Sequence, residues 1–301
     1  MIASVTVDLD GLACYAAIHG IDPESLDERA LRAVPEVATA RLCELFAGLG
    51  IEGTFFAIGS DLRLPFAADS IAAAARAGHE IASHSYAHDY ALSRWGRAAM
   101  ELDLARAEEA IRNACGAAPR GFRAPGYTLS TDLFEAVARR GYLYDSSLLP
   151  SPPYYAAKAA ALGMYAIRGR RSRSILGSPG QLFASRSPHW RGGLRELPIA
   201  TLPLVRAPVI GTLLAAVPGV VGAALARVAS GSGHFNLELH AIDALDATDG
   251  VPRDLASAQA GLGTPAAVKL GRLRSVLLAL RRRAEVCTLE KAAVRLLPAA
   301  H

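Results

Sequence analysis

Apolar residues dominate "SVTVDLDG" (4–11), which reads as a buried β-strand interrupted by Asp8 and Asp10. The segment 27–50 carries Leu31, Val34, Leu42, Leu45 and Leu49 at helical spacing and ends in Gly48 and Gly50, as helices often do. Strands are then expected at 51–59, 79–85 and 142–148, with a short strand or loop at 121–127. Helices are expected at 69–78, 98–116 and 130–141, the last with Ser130 as its cap. Strand and helix alternating at this rhythm imply an α/β fold, a parallel sheet joined by crossover helices. Closed into a barrel, such a sheet carries its site at the C-terminal ends of its strands.

Past residue 150 the rhythm breaks. A basic run (168–174) precedes a strand-like segment (194–205). Residues 207–226 then hold no charge and lie between Arg206 and Arg227. A further strand (234–243) carries His240 near its end, and 266–286 reads as a basic amphipathic helix. No internal repeat is visible.

The 301 residues suffice for one large domain or two ordinary ones. A net charge of +4 suits an anionic surface or substrate, but no interleaving of aromatic and basic residues points to nucleic acid. Cys14, Cys43, Cys115 and Cys287 are widely spaced and form no CxxC, so neither a disulfide framework nor a thiolate zinc site is expected. With the first strand beginning by Ser4, no signal peptide is expected, which makes the cytoplasm the default location.

Four short stretches carry chemistry. Asp8 and Asp10 point to one side of their strand, a costly arrangement unless a cation lies between them or one keeps a proton. His84 and His88 are spaced i, i+4; on one helical turn they would face the same way and grip one ion. Two imidazoles and a carboxylate form a common catalytic zinc set. Arg123 can orient a carboxylate through its fork, and Pro125–Gly126 can bend the chain so that a backbone N–H meets an oxyanion. His240, delivered by a strand end, suits a general acid.

Taken in order, "VDLDG", "HSYAH", "RAPGY" and "LELH" resemble the polysaccharide deacetylase family, whose catalytic unit is the NodB homology domain. The resemblance implies a deformed (β/α) barrel, here a single catalytic domain over 1–301 with an insertion at about 150–232. It implies a divalent metal, zinc foremost, on Asp10, His84 and His88. Asp8 would be the general base, Arg123 its orienting partner and His240 the general acid. A backbone N–H near Gly126 or Tyr127 would meet the oxyanion. Typical members have adjacent aspartates; here Leu9 separates them, as in a branch that includes lipid-linked sugar deformylases. Trp190 is a candidate for the acyl pocket.

The implied substrate is an N-acylated amino sugar, acetyl or formyl, on a lipid or glycolipid. Residues 207–226 are long enough to span a bilayer, but Pro208, Pro218, Gly211, Gly219 and Gly222 interrupt them. Two short helices at the inner face of the membrane fit better, beside a buried insertion as the other reading. Non-catalytic binding of a carbohydrate or lipid headgroup, or deacylation of a soluble small molecule, are the competing functions.

Overall fold

The computed structural model describes residues 1–167, 169 and 172–298. Its organising element is β1 (Ile2–Asp8), whose Ala3, Val5 and Val7 face one way and Ser4, Thr6 and Asp8 the other, all buried. The strand β8 (His234–His240) lies beside it and alternates likewise: Phe235, Leu237 and Leu239 against Asn236, Glu238 and His240. The pairing is parallel, and its register sets Ser4 opposite Asn236, Thr6 opposite Glu238 and Asp8 opposite His240.

The remaining strands are β2 (Thr54–Ala57), β3 (Glu80–Ser83), β4 (Gly121–Phe122), β5 (Tyr144–Asp145), β6 (His189–Arg191), β7 (Leu194–Glu196) and β9 (Glu285–Val286). The sheet order is β6-β7-β5-β4-β3-β2-β1-β8, with β9 also on β1. Only the β6–β7 hairpin is antiparallel among the described pairs. After β7 the chain turns to β8: Ala200 N donates to Asn236 O (3.0 Å) and Asn236 Nδ2 to Leu197 O (3.0 Å). The sheet is thus a curled half-barrel with helices around it, as the motif resemblance implied.

These helices are α1 (Leu12–His19), α2 (Glu28–Arg32), α3 (Thr39–Ala47), α4 (Pro65–Arg76), α5 (Arg97–Cys115), α6 (Thr131–Arg139) and α7 (Pro152–Ile167). They continue with α8 (Gly211–Ala216), α9 (Gly219–Ala229), α10 (Arg253–Ala258), α11 (Ala266–Arg281) and α12 (Leu289–Leu296). The helix expected over 27–50 is one helical run in which the wider π-turns of Ala33–Ala38 accommodate Pro35 between α2 and α3. Ser130 caps α6, its hydroxyl accepting from Leu133 N.

The main apolar core lies outside the sheet. The outward side chains of β1 and β8 pack there with Leu42, Phe46, Leu214, Leu273 and Val276 from the helices. Each fully buried side chain of this kind contributes about 1.5–3 kcal/mol. The inside of the curl is polar, which is where the sequence places its aspartates and histidines.

Two expectations need correction. The stretch 150–232 is not wholly an insertion, because β7 pairs with β5 in the sheet. The uncharged run 207–226 does form two short helices, but Val209, Leu214, Ala215 and Ala226 are buried in the core, while Val220 and Val221 are exposed. No helix among the described residues is long and apolar enough to cross a membrane. Of the basic run 168–174, Arg168, Arg170 and Arg171 lie outside the described residues.

Candidate active site

At the C-terminal ends of β1 and β3 three side chains converge. His84 Nε2 lies 3.3 Å and His88 Nε2 3.2 Å from Asp10 Oδ1. All three residues are buried. The i, i+4 spacing of the histidines does not act through a helix. Residues 84–88 form a loop in which Ser85 (φ 65°) and His88 (φ 48°) take the left-handed conformation. Local hydrogen bonds hold this uncommon path. Asp103, buried on α5, accepts from Tyr86 N (2.8 Å) and Ala87 N (2.9 Å), and Ser85 Oγ accepts from His88 N (3.0 Å).

The donor set fits a cation. His84 Nδ1 donates to the Arg123 carbonyl (2.8 Å), which leaves Nε2 as a free lone pair facing Asp10. Asp10 Oδ1 and His88 Nε2 are buried without hydrogen-bond partners, a condition rare in native interiors unless an ion or water satisfies them. Burial opposes the charge on Asp10, yet His88 and His84 hold its carboxyl well below the usual range. Burial likewise opposes charge on His88, yet Asp10 draws its imidazole well above the usual value. The pocket therefore calls for a positive charge, which two imidazoles and a carboxylate take most readily from a zinc-like ion.

A second cluster, Asp8, Glu238 and His240, adjoins the first. Asp8 Oδ2 lies 3.9 Å from His84 Nε2, and Asp8 Oδ1 accepts from Arg123 Nη1 at 2.5 Å. Arg123 is fully buried inside the curl. It donates to Thr6 Oγ1, the Ser146 carbonyl and Ser146 Oγ, and its guanidinium stacks on Phe56 at 4.0 Å. With its fork occupied in this way, Arg123 holds the Asp8 carboxylate in one orientation.

His240 is the partly exposed member. Its Nδ1 forms an ion pair with Glu238 Oε1 at 2.8 Å, and its Nε2 faces the Tyr127 hydroxyl at 3.5 Å. Burial alone would lower the imidazole pKa; Glu238 overrides this and raises it to about 10. The reading of sequence overlooked Glu238. Its signal was a carboxylate two residues before His240, hence on the same strand face, in an otherwise apolar run. It overlooked Asp103 as well, which no spacing rule connects to the histidine loop.

Tyr127 has a different place from the one expected. Its backbone N–H is committed to the Ala124 carbonyl (3.1 Å), so this amide is no oxyanion donor. Its phenol, kept protonated by burial, is the group that reaches the site. The turn demands Gly126, at φ 58°, where a Cβ would meet the Tyr90 ring at 2.5 Å. Trp190 sits on the edge strand β6, 43% exposed, with the Arg195 guanidinium 4.5 Å above its ring. Tyr15, Tyr90 and Tyr154 stand around the two clusters: Tyr90 edge-on to His88, Tyr15 edge-on to His240, and Tyr154 edge-on to Tyr127.

Comparison with known proteins agrees with this geometry. Residues 33–144 match the family model described as polysaccharide deacetylase. That stretch contains His84, His88, Arg123 and Tyr127; Asp8, Asp10 and His240 lie outside it. A peptidoglycan deacetylase of Helicobacter pylori is 27% identical over 151 residues, half of this chain and half of that protein. The solved structure of a Mycobacterium smegmatis protein assigned to the polysaccharide deacetylases superposes with a TM-score of 0.61 at 19% identity, covering 98% of this chain and 89% of that one. The Xyl-CE4 domain of a multidomain xylanase from the hindgut metagenome of Trinervitermes trinervoides gives 0.52 at 14% identity, covering 98% and 89%. Residues 33–144 thus match the family named from the four motifs, and the chain shares the fold of these solved structures.

Proposed function

We propose that the protein hydrolyses the amide of an N-acylated amino sugar, releasing a short carboxylate, acetate or formate, and the free amine. The observation that carries this reading is the strand register that sets Asp8 beside His240, next to the Asp10, His84 and His88 cluster. A divalent ion on that cluster, zinc the favoured one, supplies Lewis-acid activation of the attacking water and the acyl carbonyl. Asp8, fixed by Arg123, takes the proton of the water as its oxygen bonds to the acyl carbon. His240, held protonated by Glu238, gives its Nε2 proton to the amine nitrogen as the C–N bond breaks. The Tyr127 hydroxyl, beside that nitrogen of His240, helps orient it.

A substrate carried on a lipid or glycolipid, presented at the inner face of the membrane, is the reading we favour. Its supports are the divided aspartate pair and the exposed valines of α9. The test is to incubate zinc-loaded protein with acetylated and formylated amino sugars, free and polyprenyl-linked, and to measure released carboxylate and free amine. Asp8→Asn should lower turnover by about 10² to 10⁴ while metal stays bound. Absence of release from every member of the panel, or full turnover by Asp8→Asn, would overturn the proposal.

A further inference from the structure

The loop 201–208 has a conformation that folding alone does not reward. Thr201 and Pro208 form a β-bridge at its base, and Leu202 N donates to the Ala207 carbonyl (2.8 Å). At its tip Val205 N donates to the Pro203 carbonyl (2.7 Å), with Leu204 between them at φ 59°. That is a γ-turn in its positive-φ form, rare and strained for any residue with a Cβ. Leu204 is nevertheless 98% exposed and Val205 62% exposed, so no buried contact within the chain compensates.

The tip is not loose. Arg186 donates to the Thr201 hydroxyl (3.0 Å) and to the Thr201 carbonyl. Arg206, itself at φ 52°, donates to the Ala184 carbonyl (2.8 Å) and lies over the ring of Phe183, which is 73% exposed. Three large apolar side chains are therefore held outward on a pinned scaffold with two guanidinium groups at its base. Strain kept in a well-determined loop points to use rather than accident.

We propose that this tip is a membrane-docking element, with Leu204, Val205 and Phe183 entering the acyl boundary of an anionic lipid surface and Arg186 and Arg206 meeting its headgroups. The charge pattern selects this occupant: apolar residues at the apex and cations only behind them match the interface of a bilayer with anionic headgroups. A second copy of the chain would be expected to offer carboxylates to those arginines around an apolar seat. The loop also leads directly to the site. Ile210 packs against Tyr127, Leu149 and Ile199, and the Thr212 hydroxyl donates to Asp243 (3.2 Å), which accepts from His240 N (3.0 Å). Docking through the tip brings the barrel mouth to the surface on which a lipid-carried sugar resides. The inference deepens the proposed function and rests on it only for this purpose of docking.

The test is flotation of the zinc-loaded full chain with phosphatidylcholine vesicles, with and without phosphatidylglycerol. The wild type should float with the anionic vesicles and be released by salt. The Leu204→Ser, Val205→Ser double variant should lose at least about tenfold in partition. Both proteins should hydrolyse a soluble acylated amino sugar equally, since neither residue touches the catalytic groups. Leu204→Cys carrying an environment-sensitive fluorophore gives a second readout, an emission blue shift on adding anionic vesicles. A wild type that stays in solution, a double variant that floats as well as the wild type, or a fluorophore that does not shift would overturn the proposal. So would a dimer in sedimentation that the double variant dissociates, which would make the occupant a second copy. A wild type that hydrolyses but does not float removes the docking element alone; a wild type that floats but does not hydrolyse removes the proposed function alone.

Discussion

The sharpest consequence of the site concerns Glu238. A general acid must hold its proton at the working pH, and an isolated histidine, at a pKa of about 6.5, does so poorly above neutrality. Burial in this site would make matters worse; the Glu238 carboxylate, 2.8 Å from Nδ1, reverses the effect and lifts His240 to about 10. Glu238→Gln keeps the shape and removes the charge, so His240 should fall to about 6.5 or lower. At a pH near 8 the protonated fraction then drops from about 99% to about 3%, a loss of about thirtyfold in turnover. The loss should shrink as pH is lowered toward 6, because the smaller pKa is being approached from above. The assay is a pH profile of amine release for both proteins, with metal content measured alongside. The alkaline limb should move from near 10 to near 6.5. An unmoved limb with metal intact would refute the assignment, and a uniform fall at every pH would make Glu238 merely structural.

Two further predictions concern the metal and the acid stability. The His84→Ala, His88→Ala double variant should lose its divalent ion by elemental analysis, and chelation of the wild type should abolish turnover that zinc restores; full occupancy in the double variant would exclude the cluster as the ion site. His234, buried beside Ser4, has its pKa pushed down by burial to about 3. The unfolded chain therefore takes up a proton below a pH of about 6.5 that the native chain refuses, and stability from this group falls as pH drops, by about 2 kcal/mol near pH 5. Urea titrations near pH 7 and near pH 5 should show a smaller difference in His234→Asn than in the wild type.

Which features the sequence disclosed follows from how strongly each physical signal is written in residue type. Charges inside apolar strands are costly, so Asp8 and His240 stood out and their strands proved to be neighbours. The barrel class followed from alternation of long elements. Strands of two or three residues, such as β4, β5 and β7, carry too little pattern to bound. The i, i+4 spacing of the histidines reads as a helical turn because left-handed backbone usually announces itself through glycine, and Ser85 and His88 give no such notice. Lack of charge over 207–226 could not tell a face pressed against α11 from one meeting lipid, since both want the same side chains. The strained tip at Leu204 lies two residues before Arg206, the boundary of that uncharged segment.

The pairing of β1 with β8 also has a consequence for assembly. Ser4 and His234, bonded across these strands, stand 230 residues apart in the chain. Asp10, His84 and His88, the candidate ion ligands, by contrast belong to the first 88 residues. Contacts so distant in sequence close late, after the local strand–helix units have formed. A ribosome making this protein exposes the half that holds Asp10, His84 and His88 before β8 exists. Under the proposed function, capture of an ion can precede arrival of His240, and turnover begins only when the eighth strand is laid down.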